Sequence, residues 1–232
     1  MARIGMAVAG IAAAALLAGC GGNGFADQSS DEIVKAAKAD MGDLTSVKVS
    51  GELTSSGQQI SLDLQTGTGG NCTGTIGIGD GSAELLGVDG QIWMKPDEAF
   101  WRANGGDSAD QLIALVGDKW VVLPSTDQSF TQFCDVNQLL DQMLKSTDDG
   151  STYAKKGTTT VDGDDVVKIE NTDPKDGTSM GYVLTDDPHY LVKIEKTEGS
   201  DTGSVTFSAF NEKLDVQAPA DSDVVDLSNV SS

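Results

Sequence analysis

Two blocks of period-two sequence, split by a stretch with helical spacing, constrain this chain more than any other feature. In the first block "SVKVSGEL" alternates Val47, Val49 and, past Gly51, Leu53. "QISLDLQ" alternates Ile60, Leu62 and Leu64, "TGTIGIG" offers Ile76 and Ile78, and "AELLGVDGQIWMK" turns at Asp89-Gly90, a type I′ hairpin signal. The second block holds "TTTVDGDDVVKIEN" with a turn at Asp162-Gly163, then "MGYVLTDDPHYLVKIEKTEG" pairing Tyr182 and Leu184 with Leu191 and Ile194. "GSVTFSAFN" closes it, alternating Val205, Phe207 and Ala209. Alternation gives each segment one face for a core and one for water, the mark of antiparallel strands joined by tight turns.

Helical spacing appears before and between these blocks. "DEIVKAAKADMGDL" puts Ile33, Ala36, Ala37, Met41 and Leu44 near one face, with acids in the first turn. In the middle, "DEAFWRA" and "DSADQLIALVGDKW" read as helices, the second capped by Ser108 or Asp107 and by Gly117. "FCDVNQLLDQMLKS" lines up Phe133, Val136, Leu139, Leu140, Met143 and Leu144, and "KWVVLP" is a short extended stretch ending at Pro124. The tail "PADSDVVDL" is polar with an apolar clasp at Val224, Val225 and Leu227. The order strands, helices, strands predicts an α+β fold: one large curved antiparallel sheet with helices packed on its concave face, filling or lidding it. Residues 31–232, with no internal linker, make one domain.

The N-terminus carries a different message. After Met1-Ala2-Arg3 the chain runs uncharged from Ile4 to Leu17 and closes on Ala18-Gly19-Cys20. That is a signal-peptide layout over 1–19, too short for a stable bilayer span of roughly 20 residues. Leu17-Ala18-Gly19-Cys20 resembles the bacterial lipobox. The resemblance implies diacylglycerol on the Cys20 thiol, cleavage just before it and N-acylation with palmitate-type chains. An ordinary secretory signal cut nearby is the alternative. Residues 20–30, rich in Gly, Asn, Ser, Asp and Gln with a single Phe25, read as a lipidated, flexible tether.

With Cys20 given to lipid, Cys72 and Cys134 remain as an even pair in a chain exported to an oxidising compartment, which favours a disulfide. A metal or redox pair is the alternative, and neither cysteine has a Cys or His neighbour at ligand spacing. The whole chain carries a net charge of -21; with Arg3 removed, 14 basic against 36 acidic residues leave -22. Such a surface repels nucleic acid and anionic headgroups alike, so membrane attachment rests on the lipid.

Chemistry is sparse. The single histidine, His189, falls in a turn and reads as solvated; no G-x-S-x-G elbow or H-E-x-x-H run accompanies it. The pairs Asp148-Asp149, Asp164-Asp165 and Asp186-Asp187 lack calcium-loop spacing and suit turns. "TGTGGNCTGTIGIGDG" lacks the Lys-Ser/Thr and the helix of a phosphate loop. The expectation is a protein that is no enzyme and has no cofactor and no metal.

Several stretches together resemble the actinobacterial LppX and LprG lipoproteins, relatives in fold of the LolA and LolB lipoprotein carriers. They are the lipobox, "SVKVSGEL", "GGNCTGTIGIGDGSAELLGVDGQIWMKPDEAFWR", "DKWVVLP" and "GSVTFSAFNEKLDVQAPADSDVVDL". The resemblance implies a half-open barrel around a hydrophobic cavity lidded by helices, and a role in binding or moving lipids or lipoglycans in the envelope. It also implies a monomer anchored on the extracytoplasmic face of the cell membrane, with a Cys72–Cys134 bridge tying sheet to lid. The candidate cavity set is Trp93, Met94, Phe100, Trp101, Leu112, Leu115, Leu140 and Leu144. Trp93 and Trp120 suit a plain core better than a cavity, and Phe100 and Trp101 suit core or cavity mouth equally. A lipid-anchored scaffold with a filled cavity and no ligand is the alternative function.

Overall fold

A computed structural model describes residues 24–55, 57–124, 128–144, 150–175, 177–198 and 201–227. The predicted signal peptide and Cys20 lie outside the described residues. Helix α1 (Ser30–Gly42) comes first, starting one residue before its predicted Asp31. Ser29 caps it reciprocally: its hydroxyl accepts from the Glu32 N–H, and the Glu32 carboxylate accepts from the Ser29 N–H at 3.0 Å. Five strands follow, β1 (Ser46–Ser55), β2 (Gln58–Gly67), β3 (Cys72–Ile78), β4 (Gly81–Val88) and β5 (Gln91–Pro96). The helical insertion holds α2 (Glu98–Asn104), α3 (Ala109–Val116), strand β6 (Trp120–Leu123), α4 (Gln128–Thr131) and α5 (Val136–Leu144). Then come β7 (Thr152–Val161), β8 (Asp164–Asp173), β9 (Gly177–Leu184), β10 (Leu191–Lys196), β11 (Thr202–Ser208) and the short β12 (Val224–Val225).

The strands form a single sheet in the order β12-β6-β5-β4-β3-β2-β1-β11-β10-β9-β8-β7. Every pairing is antiparallel except β12 against β6, where Val224 and Val225 sit beside Trp120 and Val121. The apolar clasp of the tail is therefore a strand, and Leu227 packs with Trp101, Val116 and Val121. The hairpin turns form as the sequence implies: Asp89 and Gly90 have φ of 50° and 85°, Asp162 and Gly163 53° and 100°. The two halves of the chain meet where β1 joins β11, with Gly51 opposite Val205 and Leu53 opposite Gly203. A Cβ on Gly51 would collide with the Ser204 carbonyl, and one on Gly203 (φ +145°) with the Glu52 carbonyl. These glycines let the two backbones close up and bend at the seam.

One face of the sheet supplies the core. Val49, Leu64, Ile76, Leu85 and Met94 project onto it and meet Met41 of α1, Phe100 of α2 and Val136, Leu139 and Leu140 of α5. α5 follows its expected stripe, and Asp135 caps it by accepting from the Gln138 N–H at 3.0 Å. Cys72 and Cys134 are disulfide-bonded, Cα atoms 4.8 Å apart, and both are fully buried. The bridge ties β3 to the turn that enters α5. Gly87, opposite Cys72 in the register, makes room for it: a Cβ there would lie 3.0 Å from the Cys72 Sγ.

Two sequence expectations are revised. Phe25, read as part of a tether too polar to pack, is 5% exposed and packs with Ile33, Val167 and Val183. Lys155 Nζ bonds the carbonyls of Ala26 and Gln28 at 2.6 and 3.0 Å, so the packed chain already includes this stretch. His189, read as solvated, stacks on the Phe25 ring, centroids 3.5 Å apart. Its N–H donates to Asp40 Oδ2 at 2.7 Å, and its Nδ1 lies 3.2 Å from the Leu184 carbonyl oxygen. A lone aromatic in polar surroundings found another aromatic from a distant turn, a pairing that local composition does not reveal.

Candidate functional site

The helical insertion does not cover the sheet evenly. Over β1 to β5 it fills the concave face. Over β8 to β10 it leaves a cavity of about 150 Å³, walled by α1 through Val34, Ala37, Lys38 and Met41, and by the last turn of α5 through Met143 and Leu144.

The floor is a ladder of rungs, because residues paired across antiparallel strands share a face. One rung is Val183 of β9 with Leu191 of β10, backed by the buried Val167 of β8. Two residues along β8 and β9, and three along β10 where the register shifts, lies the rung Ile169, Gly181 and Ile194. Two residues further lies Tyr153, Asn171 and Ser179, about 7 Å beyond the middle rung at the strand rise. The floor thus grades from apolar to polar along the strands. Lys38, an exposed residue of α1, marks the polar end, its Nζ 5.9 Å from the centre of the Tyr153 ring. Asn171 Oδ1 is buried and has no hydrogen-bond partner.

The strands reach these positions for local reasons. "VVKIENTD" alternates Val167, Ile169 and Asn171 inward, and "GTSMGYVL" alternates Ser179, Gly181 and Val183. The hollow exists because small and polar residues stand where the other half of the sheet carries Ile76, Leu85 and Met94. The side chains between them point outward and form a charged strip. There Tyr182 Oη donates to Glu195 at 2.5 Å, and Lys193 pairs with the same carboxylate at 2.5 Å. The bonds from Lys193 and then Tyr182 hold the Glu195 carboxyl below its ordinary value. The bond to Glu195, with burial, pushes the Tyr182 phenol up to about 12.

Of the eight residues proposed from sequence, Leu144 alone lines this cavity. Met94, Phe100 and Leu140 are buried in the main core. Trp101 packs against Val116 and Val121 with Leu112 beside it, and its Nε1 is buried without a partner. Leu115 is exposed, at 46%. Trp93 stands in register between Leu86 and Val122 on the opposite face from Ile92 and Met94 and is only half-buried. Trp120 is half-buried beside Lys95, whose Nζ lies 6.0 Å from its ring. The aromatic cluster drew the sequence reading to the insertion, whereas the hollow lies where large side chains are missing. The readable signal is the inward set Asn171, Ser179, Gly181. Among the described residues no group of three or more His, Cys, Asp or Glu side chains converges to hold a metal ion.

No protein-family model and no curated protein matches this chain. Solved structures do. LprF from Mycobacterium bovis matches with a TM-score of 0.57 at 14% identity, over 82% of this chain and 97% of its own. The lipoprotein LppX of Mycobacterium tuberculosis matches at 15% identity over 82% of this chain and 100% of its own, with a TM-score of 0.47. At these identities the likeness concerns fold, and the chain has the fold of LprF: the open, LolA-like curved sheet under helices that its resemblance to the LppX and LprG lipoproteins implied.

Proposed function

We propose that this protein is a lipid-anchored, extracytoplasmic binding protein that holds an acylated molecule in the envelope between α1, α5 and strands β8 to β10, and that it is not an enzyme. The apolar rungs of the hollow carry the reading: Ile169, Val183, Leu191 and Ile194 face a gap that the protein's own side chains leave unfilled. An acyl segment gains about 0.8 kcal/mol for each methylene buried against such a surface. The proposed anchor is Cys20, whose two or three acyl chains suffice for durable attachment. With Phe25 packed, the five peptide steps from Cys20 to Phe25 reach at most about 18 Å. The folded domain then rides close to the bilayer.

Gentle extraction from membranes followed by mass spectrometry tests the reading. Co-purifying lipid is the expected result; ligand-free protein from several extractions would overturn it. Cys20→Ser should release the protein or leave its signal uncut, and continued anchoring after cleavage would refute the attachment site. One observation favours a second reading, an anchored scaffold without ligand. At about 150 Å³ the hollow is smaller than the roughly 300 Å³ at which small-molecule pockets begin.

A further inference from the structure

The charge around the hollow narrows what it binds, given the lipid-binding reading on which this inference rests. The chain carries 36 acidic residues against 15 basic ones, yet among the described residues that wall the hollow the single charged side chain is Lys38. Lys38 stands at the polar end of the ladder beside the Tyr153 ring, and it is exposed, so its ammonium is reached from the open side. It is engaged within the fold, and its three donors let it hold an anion as well. The carboxylates nearest in the structure face other groups. Asp173, one rung beyond Asn171 on β8, is buried and accepts from the Ser151 hydroxyl at 2.8 Å and the Lys175 N–H at 2.7 Å. Asp40, two residues past Lys38, accepts from the His189 N–H. Lys35, one turn before Lys38, adds a second positive charge on the helix surface. We infer that the hollow takes an anionic amphiphile, an acyl chain ending in a carboxylate or a phosphate, with the anion against Lys38 and the tail along Ile169 and Ile194 toward Val183 and Leu191. Reversing the ligand would bring its charge among apolar side chains, where desolvation is costly. A cationic head would meet Lys38 as a like charge. The sign of this preference opposes the field of the whole protein: a net charge of -21 draws cations and repels anions, so an anion held here is held by the site itself.

The test uses the full chain with Cys20→Ser, so that no attached lipid competes, and follows the methyl resonances of Ile169, Ile194, Val183 and Leu191. All probes share an octyl-length tail and are used below their micelle concentrations: octanoate stands for a free fatty acid, monooctyl phosphate for a phospholipid head, 1-octanol is neutral and octyltrimethylammonium is a cation. The parent chain should bind the anions more tightly than the cation. Lys38→Met keeps the length of the stem and removes the charge. It should weaken anion binding about fivefold, the size of an exposed ion pair, leave octanol within about twofold and strengthen the cation. A loss confined to octanoate assigns the head as a fatty-acid carboxylate, and one confined to octyl phosphate as a lipid phosphate. Lys35→Met, on the same helix and outside the lining of the hollow, should change anion binding less than about twofold, because water and salt screen a charge not in contact. Inorganic phosphate without a tail should leave these methyls unshifted. Anion binding that Lys38→Met does not weaken, that Lys35→Met weakens equally, or that free phosphate reproduces would overturn the inference and leave the lipid-binding reading standing, as would tightest binding of the cation by the parent. Methyl shifts from no probe would overturn both.

Discussion

The two wings of this sheet obey the same rules of strand pairing and differ in how well their inner face is filled. β4 and β5 alternate cleanly between buried and less buried positions, with Leu85 and Met94 facing each other on the core side. β9 and β10 are half-buried at nearly every position. The first wing carries large inward side chains, the disulfide and most of the helical insertion. The second carries Asn171, Ser179 and Gly181 inward and relies on α1 for cover. Unsatisfied area in a folded chain is a cost unless something else occupies it, and the poorly filled wing is where the proposed ligand site lies. The difference also separates roles within one insertion: the start of α5 is fixed to β3 through Cys134, and its last turn, Met143 and Leu144, walls the hollow.

The largest effect expected from this contrast is loss of the bridge. Cys72 and Cys134 are 62 residues apart in sequence, and closing such a loop is worth about 4 kcal/mol in the chain-entropy account. Cys72→Ser with Cys134→Ser should lower the free energy of unfolding in denaturant by about that amount. Hydrogen exchange should speed up first in α5 and β3, with β8 and β9 little changed. A uniform loss of protection would mean that the wings are not independently supported. Next come truncations matched across the wings. Leu85→Ala in the filled wing, where the side chain is 1% exposed, should cost 3 kcal/mol or more, about the middle of the range for core leucines. Leu191→Ala at the wall of the hollow, where the side chain is half-buried beside an existing gap, should cost about half as much. Equal costs would break the comparison.

The architecture was legible in the sequence where residue identity alone sets the structure. Val47, Val49, Leu62, Leu64 and Ile76 announced inward faces by period two, Asp89-Gly90 and Asp162-Gly163 announced turns, and Ser108 and Gly117 bounded α3 where expected. What stayed hidden depends on partners distant in sequence. Nothing local pairs Phe25 with His189, joins Val224 to Trp120 or sends Trp93 to the outer face. The hollow was hidden for a further reason. Large apolar side chains do line cavities but more often fill cores, and here Met94, Phe100 and Leu140 fill one. A cavity is written in the small residues opposite them, and its place depends on how a strand order runs that no single segment specifies.

Filling the hollow sharpens the contrast from the other side. A Cβ on Gly181 would sit 3.3 Å from the Leu191 Cδ1, tight contact with a side chain that has the hollow itself to move into. Gly181→Ala should therefore be tolerated. Stability should rise by up to about 1 kcal/mol, since glycine inside a regular element loses more chain entropy than alanine. Lipid recovered with the protein should fall at the same time. Lower stability with unchanged lipid content would show that the gap at Gly181 is not the space the ligand uses.

The smallest effect belongs to the outer surface of the hollow wing, where a charged strip stiffens strands that the core does not. Tyr182 donates to Glu195 from β9 to β10, and this bond, aided by burial, raises the phenol to about 12. A raised phenol favours the neutral form in the folded protein, so its contribution is fully present below the ordinary tyrosine value near 10 and is lost as pH rises through about 12. Glu195 works with the opposite sign. Its carboxyl is lowered chiefly by the Lys193 bond, so its contribution is present above the ordinary carboxylate range and fades as pH falls through its folded value. The strip therefore supports β9 and β10 across the neutral range and weakens at both extremes, whereas the filled wing, held by Leu85, Met94 and the disulfide, should weaken chiefly at the acid end, where Asp97, kept below its ordinary value against desolvation by the bonds from Phe100 and Ser82, takes up a proton. Ultraviolet titration resolves the basic arm: Tyr182 should ionise at about 12, and Glu195→Gln should bring it back toward the ordinary tyrosine value near 10. The stability lost should be below about 1 kcal/mol, because the groups are partly exposed and water screens them. A Tyr182 that ionises near the ordinary tyrosine value of about 10 in the parent protein would show that the hollow wing is held by α1 and strand pairing alone.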